Sequence, residues 1–185
     1  MPSPVRINEH GKPDGVIQTW LGCYAARTPG TEFCPNTTLR LDADNMPQPD
    51  GLLRLSPECG GRTSVDKDGL LCGPVELVVE VAASSASIDA RDKWRAYRRN
   101  GIKEYILWRT LDRQLDWWVL EGDEYHPNIP DSQRLIHSAS FPGLVLAVDA
   151  LLAMDSGKVL DALQAALQTP AHAEFVARLK SAATR

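Results

Sequence analysis

A chain of 185 residues, 43% of them hydrophobic, is long enough to bury a sizeable core and suits a single domain over residues 1–185. Its net charge of −4 excludes a global attraction to nucleic acid, so such a partner has to be met by a local basic face. No stretch approaches the ~18 apolar residues of a membrane span, and Met1 to Arg6 holds no apolar signal core, so the expected location is the cytoplasm, with no membrane partner.

Pro13 or Asp14 can start a helix whose Val16, Ile17, Trp20, Leu21 and Tyr24 recur on one face, and Pro29 with Gly30 ends it. Thr37 to Leu41 alternates as a half-buried strand; after the turn-forming Asp44 to Pro47, Leu52 to Leu55 reads as a second, with Asp50 between them. Residues 56–73 are rich in Gly, Pro, Ser and Asp and read as a loop with a short excursion around Ser64 to Leu70. Val75 to Ala82 is the strongest strand, nearly continuous in apolar residues and therefore expected to be central and covered on both faces. A helix follows from Asp89 to Asn100, with Gly101 as its stop. Tyr105 to Trp108 and Leu115 to Leu120 form a hairpin around Asp112 and Arg113, and its tryptophans read as packing groups ahead of a base-stacking platform. Leu144 to Val148 is strand-like, and helical patterns cover Val159 to Leu167 and, capped by Thr169 and Pro170, Ala171 to Lys180. This order predicts an α/β fold with a mixed central sheet flanked by helices and further helices at the C-terminus.

Between Arg91 and Arg113 eight basic side chains stand against three acidic ones, a net +5 that leaves −9 for the remainder. Such asymmetry points to one working surface, or to a solvated helix face. Cys23, Cys34, Cys59 and Cys72 lack the CxxC spacing with which two thiolates grip one zinc, and read as free thiols. His10, His126, His137 and His172 form no HxxxH or HExxH pattern, which leaves metal chemistry to carboxylates.

Two carboxylates are placed as an oxygen-ligand metal site needs them. Asp50 opens a short strand after a turn, and Glu80 interrupts the central hydrophobic strand. A buried carboxylate needs a cation, a hydrogen-bonding partner or a raised pKa, and a hard cation such as Mg²⁺ meets that need with water completing its shell. Alternatively, Asp50 is a turn residue and Glu80 a strand-end surface residue. Asp89, Lys93 and Tyr97 recur at i, i+4 and i+8, one stripe of a helix. If that stripe faces the carboxylates, Lys93 can orient a water and offset charge on a phosphate; otherwise it is the helix-pair partner of Asp89.

The sequence resembles the restriction endonucleases of the Uma-two type, a branch of the PD-(D/E)XK nuclease superfamily. The resemblance spans roughly Thr31 to Met154. It rests on Leu39 to Asp50, Pro74 to Val81, the Asp89, Lys93 and Tyr97 stripe, Gly101 to Trp108, and Phe141 to Leu144. It implies a restriction-endonuclease-like core of about 31–154 with a helical extension of about 157–185. Asp50 would be the PD aspartate and Glu80 the acidic member of (D/E)XK, the lysine being displaced to Lys93 because position 82 is Ala82. The implied activity is Mg²⁺- or Mn²⁺-dependent hydrolysis of DNA phosphodiesters. Asp50, Glu80 and the Val81 carbonyl would hold metal, Asp89 and Tyr97 would support the site, and Arg91, Arg95, Arg98 and Arg99 would contact phosphates. Cutting two strands implies a homodimer; the rival expectation is an inactive nuclease fold kept as a binding module. The chain departs from the family pattern at Ala82 to Ser85, where a Ser-Pro-Ser loop is usual, and at its N-terminus, where an additional helix and hairpin with an acidic residue are common.

Overall fold

The computed structural model describes residues 6–83 and 88–184 and, of residues 88–90, the backbone only. A π-helical segment, Ile7–Gly11, runs into α1 (Lys12–Arg27), whose Ile17, Trp20, Leu21 and Tyr24 are fully buried. There follow β1 (Thr31–Pro35), β2 (Leu39–Arg40), β3 (Gly51–Leu55), β4 (Ser64–Val65), β5 (Leu71–Cys72) and β6 (Leu77–Ala82), then α2 (Ile88–Arg99), β7 (Glu104–Arg109), β8 (Gln114–Glu121) and β9 (Glu124–Pro127). The chain ends with the β10 (Leu135–His137) and β11 (Val145–Ala147) pair and helices α3 (Val148–Leu152), α4 (Ser156–Leu167) and α5 (Pro170–Ala183). The main sheet has six strands in the order β1-β3-β6-β7-β8-β9. Only β6 and β7 pair in parallel, joined by α2 as their crossover, so the sheet is mixed as the element order predicts.

Side-chain alternation divides this sheet into two buried faces. Leu53, Leu77, Val79, Val81, Ile106, Trp108 and Trp117 face α1 and the C-terminal helices, where Val159, Leu163, Phe175 and Leu179 join the same core. Leu52, Val78, Tyr105 and Leu107 face the other way, against Tyr97 of α2. The central strand is thus covered on both sides, which is why it reads as a continuous apolar run. The tryptophans divide with the faces: Trp108 and Trp117 are core, whereas Trp94 and Trp118 lie half-buried on the α2 side.

Two strands of the main sheet escape the sequence pattern. The strand expected at Thr37 to Leu41 shrinks to β2 in a separate three-stranded sheet, and the neighbour of β3 is instead β1, joined by the cross-strand contact of Arg54 Nε to Glu32 at 2.9 Å. At the opposite edge β9 emerges from an apparently irregular stretch. Both are edge strands ending in proline, which an edge tolerates, and neither carries a full apolar face.

Glu104, one of the acidic residues of the basic stretch, is no surface charge: it is fully buried at the start of β7. Its carboxylate accepts hydrogen bonds from Trp117 Nε1 at 2.8 Å, Ser138 Oγ at 2.6 Å and Ser140 N at 2.8 Å, and so ties the loop before β11 to the sheet. All these partners are donors. Glu104→Gln keeps the shape but turns N–H groups toward them, so it is expected to lower stability by about 2 kcal/mol or more in urea unfolding.

Candidate active site

Glu80 sits in β6 on the α2 face at 6% exposure. Tyr97 donates to its Oε1 at 2.6 Å and Lys93 Nζ to its Oε2 at 2.9 Å, so two residues one turn apart on α2 close over one carboxylate. Burial holds the Glu80 carboxyl above its ordinary value; Lys93 and Tyr97 pull it down, and Asp50 pushes it further up. Tyr97 is raised well above the usual phenol range by burial and by Glu80, and therefore remains a protonated donor.

Asp50 immediately precedes β3. The register of β3 with β6 pairs Gly51 with Val79 and Leu52 with Val78. Continued by one step, it sets Asp50 opposite Glu80, on the same face of the sheet. The ladder has ended there: the Val81 N–H, deprived of a backbone partner, donates to Asp50 Oδ2 at 2.6 Å. Because the N–H and C=O of one strand residue point the same way, the Val81 carbonyl also lies on the Asp50 side.

Two further groups reach this place from the N-terminal segment. His10 Nε2 lies 3.1 Å from Asp50 Oδ1. The segment is held there by Thr110 Oγ1, which donates to the Glu9 carbonyl at 2.7 Å. Four residues on, the Asp14 carboxyl is raised by burial, lowered by Gln18, raised again by Asp50 and lowered by His10. Gln18 Nε2 donates to its Oδ2 at 2.6 Å, while its buried Oδ1 has no hydrogen-bond partner among the described residues. His10, set aside as a metal ligand for want of a spacing pattern, meets Asp50 as a hydrogen-bonding partner, and Asp14 is more than a helix start. Their signal was the His10 and Asp14 spacing of one helical turn, legible only once α1 is known to begin near Asp50.

Of the other expected residues, the side chain of Asp89 and the stretch 84–87 lie outside the described residues. Arg91 and Arg95 are exposed. Arg98 pairs with Glu124 at 2.5 Å and lies over the Trp94 ring at 5.3 Å, and Arg99 pairs with Asp42 at 3.2 Å. Arg109 is bound to Asp116 at 2.6 Å, so the basic stretch is less free than its count implies. Among the described residues no three His, Cys, Asp or Glu side chains converge as a ready-made metal cluster.

The direction of the Glu80 shift fixes two outcomes. Folding shifts Glu80 toward its neutral form relative to the unfolded chain, so its contribution to stability is complete below its ordinary value of 4.5 and is lost as pH rises through the folded value. Glu80→Gln is therefore expected to be at least as stable as the parent at about pH 8, the difference vanishing below about pH 4.5. Lys93→Met strands the carboxylate, whose side chain is 8% exposed, and is expected to cost about 3 kcal/mol at that higher pH. Adding Glu80→Gln to Lys93→Met should restore most of the loss. Urea unfolding of the four proteins across pH measures both effects.

The chain matches a family model described as Uma2, putative restriction endonuclease, over residues 1–149. The comparison with curated proteins gave no match. Among solved structures it is similar to a putative nuclease belonging to DUF820 from Anabaena variabilis ATCC 29413. The TM-score is 0.63 at 10% identity, over 83% of this chain and 86% of that one, a likeness of fold. No helix among the described residues is long and apolar enough to cross a membrane. The match over residues 1–149 takes in the Asp50, Glu80 and Lys93 cleft, and the chain belongs to the Uma2 family of putative restriction endonucleases.

Proposed function

We propose that this cleft hydrolyses DNA phosphodiester bonds with the help of a divalent cation, Mg²⁺ or Mn²⁺. The observation that carries the reading is the meeting of Asp50 and Glu80 across the end of the β3–β6 ladder, with Lys93 Nζ 2.9 Å from Glu80. The donor set fits a hard cation: each carboxylate oxygen keeps a lone pair beyond its present partner, and the Val81 carbonyl adds a third oxygen type. Mg²⁺ keeps several waters in its octahedral shell, so a site with few converging protein ligands suits it. The unpartnered Oδ1 of Asp14 is a further acceptor beside Asp50.

A bound ion would supply Lewis acidity and an acidified water. The protein's own groups do the rest. Asp50 and Glu80 hold the ion, Tyr97 and His10 fix the orientation of those carboxylates, and Lys93 is placed to orient the attacking water and offset charge on the phosphate. Arg91, Arg95, Arg98 and Arg99 supply contacts to more distant phosphates. Two such sites in a cytoplasmic homodimer would cut both strands of a duplex.

Cleavage and binding separate these roles. Lys93→Ala is expected to cut the Mg²⁺-dependent rate by orders of magnitude with little change in DNA affinity. Neutralising two of Arg95, Arg98 and Arg99 should weaken binding and flatten its salt dependence by about one unit per contact, leaving the rate at saturating DNA largely intact. Millimolar Mg²⁺ should raise the melting temperature of the parent and not that of Asp50→Asn. A Lys93→Ala protein that cleaves at the parent rate would falsify the assignment of the lysine, and a parent that binds DNA without ever cleaving it favours a binding module.

A further inference from the structure

On the α2 face, over the strands next to Glu80, the described residues leave a groove of about 290 Å³ between the helix and strands β7 and β8. Tyr105 and Leu107 line it from β7, Asp116 and Trp118 from β8, and Arg91 and Trp94 from the helix. We propose that this groove receives an unpaired nucleobase of the nucleic acid cut in the neighbouring cleft, so that DNA is cut where it is single-stranded or locally opened, each strand of a duplex included; the inference rests on the nuclease reading.

Position is the first argument. The register sets Leu107 opposite Glu80 and Asp116 opposite Leu107, all on the α2 face. Strands lie roughly 4.8 Å apart, so the groove begins one strand spacing from the buried carboxylate. That is within reach of the nucleotide next to a phosphate held in the cleft.

The lining is the second. Trp118 stacks on Tyr105 with ring centroids 5.3 Å apart and 25° between planes, and Trp94 is backed by Arg98 and by the edge of Tyr125 at 5.5 Å. Both tryptophans are thus braced from behind and only half buried. A braced, partly exposed aromatic pair is a platform for a flat π-system, and every base has one, so stacking binds without reading sequence. Asp116, held by Arg109, offers acceptor oxygens, and the exposed Arg91 at the mouth meets the phosphate that any nucleotide brings. An apolar peptide would satisfy the rings and leave the charged groups unmatched.

Pairing is the third. A base inside a duplex has both faces covered by its neighbours, so only an unpaired or extruded one can lie on these rings. The groove therefore selects for strand state.

The test uses a labelled oligothymidylate of about a dozen nucleotides and a blunt duplex of equal length, binding being read by fluorescence anisotropy in EDTA. The parent is expected to bind the single strand at least tenfold more tightly than the duplex. Trp118→Leu and, from the other wall, Trp94→Leu should each remove about that factor for the single strand, leave duplex binding and the salt slope unchanged, and retain the parent's circular dichroism. Trp118→Phe should recover most of it. Equal affinity of the parent for both DNAs, or losses that fall alike on both, would overturn the proposal. Cleavage of the same oligonucleotides with Mg²⁺ keeps the two readings apart. Tryptophan-dependent single-strand binding with no cleavage sinks the nuclease reading, whereas cleavage indifferent to both tryptophans sinks the groove.

Discussion

The buried carboxylate of Glu80 in the middle strand of the sheet is the constraint on which the other arrangements turn. An ionised group at that depth needs partners, and the chain brings them from a separate element, Lys93 and Tyr97 of α2. Once those two side chains must both point at Glu80, the rotation of α2 about its axis is set. Its adjacent stripe, Arg91, Trp94 and Arg98, is then turned toward β7 and β8, and Arg95 and Arg99 toward solvent. One ion pair thus orients both the chemistry on one side of the helix and the aromatic groove on the other.

A second consequence follows from where the β3–β6 ladder stops. Had β3 extended one residue further toward its N-terminus, Asp50 and Glu80 would be an ordinary cross-strand pair of like charges, which is unfavourable. The strand instead gives way at Gly51: the Asp50 carbonyl accepts from Asn36 N on the β1 side, and its side chain takes the Val81 N–H that a continued ladder would have given to the carbonyl of Pro49. The same departure from sheet geometry opens the edge of the cleft and leaves room for His10 and Asp14. Local irregularity at a sheet end is here the device that lets carboxylates gather.

Much of this was readable in the residues, and the physical reason differs by element. The central strand, α2 and its glycine stop were legible because burial on both faces and helical spacing write directly into the order of residues; Gly101 takes the left-handed φ of 75° that its position at the helix end demands. Asp50, Glu80 and Lys93 could be picked out because a charge in an apolar strand and a helical stripe are local anomalies. His10 and Asp14 carry no such anomaly: they belong to the site through the packing of α1 against β1 and β3, a contact that no local pattern encodes. Glu104 misled for a related reason, since its charge counted toward a surface while three donors from distant segments waited for it in the core. The half-buried Trp118 likewise reads the same as its core neighbour Trp117 until the faces of β8 are assigned.

Electrostatics inside the cleft bears on the order of events in the proposed reaction. Burial, with a lesser push from Asp50, raises the carboxyls of Asp14 and Glu80, and Lys93 and His10 are the basic side chains that reach Glu80 and Asp50. A phosphate approaching the proposed site would meet carboxyl oxygens in a partly desolvated place, where repulsion from an ionised one is screened less than in bulk water. A divalent cation held among the same oxygens would offset their charge and favour the ionised forms of Asp14 and Glu80. Phosphate entry then follows cation entry. The basic and aromatic surface of α2 and the β7–β8 groove lies apart from these carboxyls, and in the proposed reaction would hold a strand by its bases and distant phosphates before the scissile one is admitted.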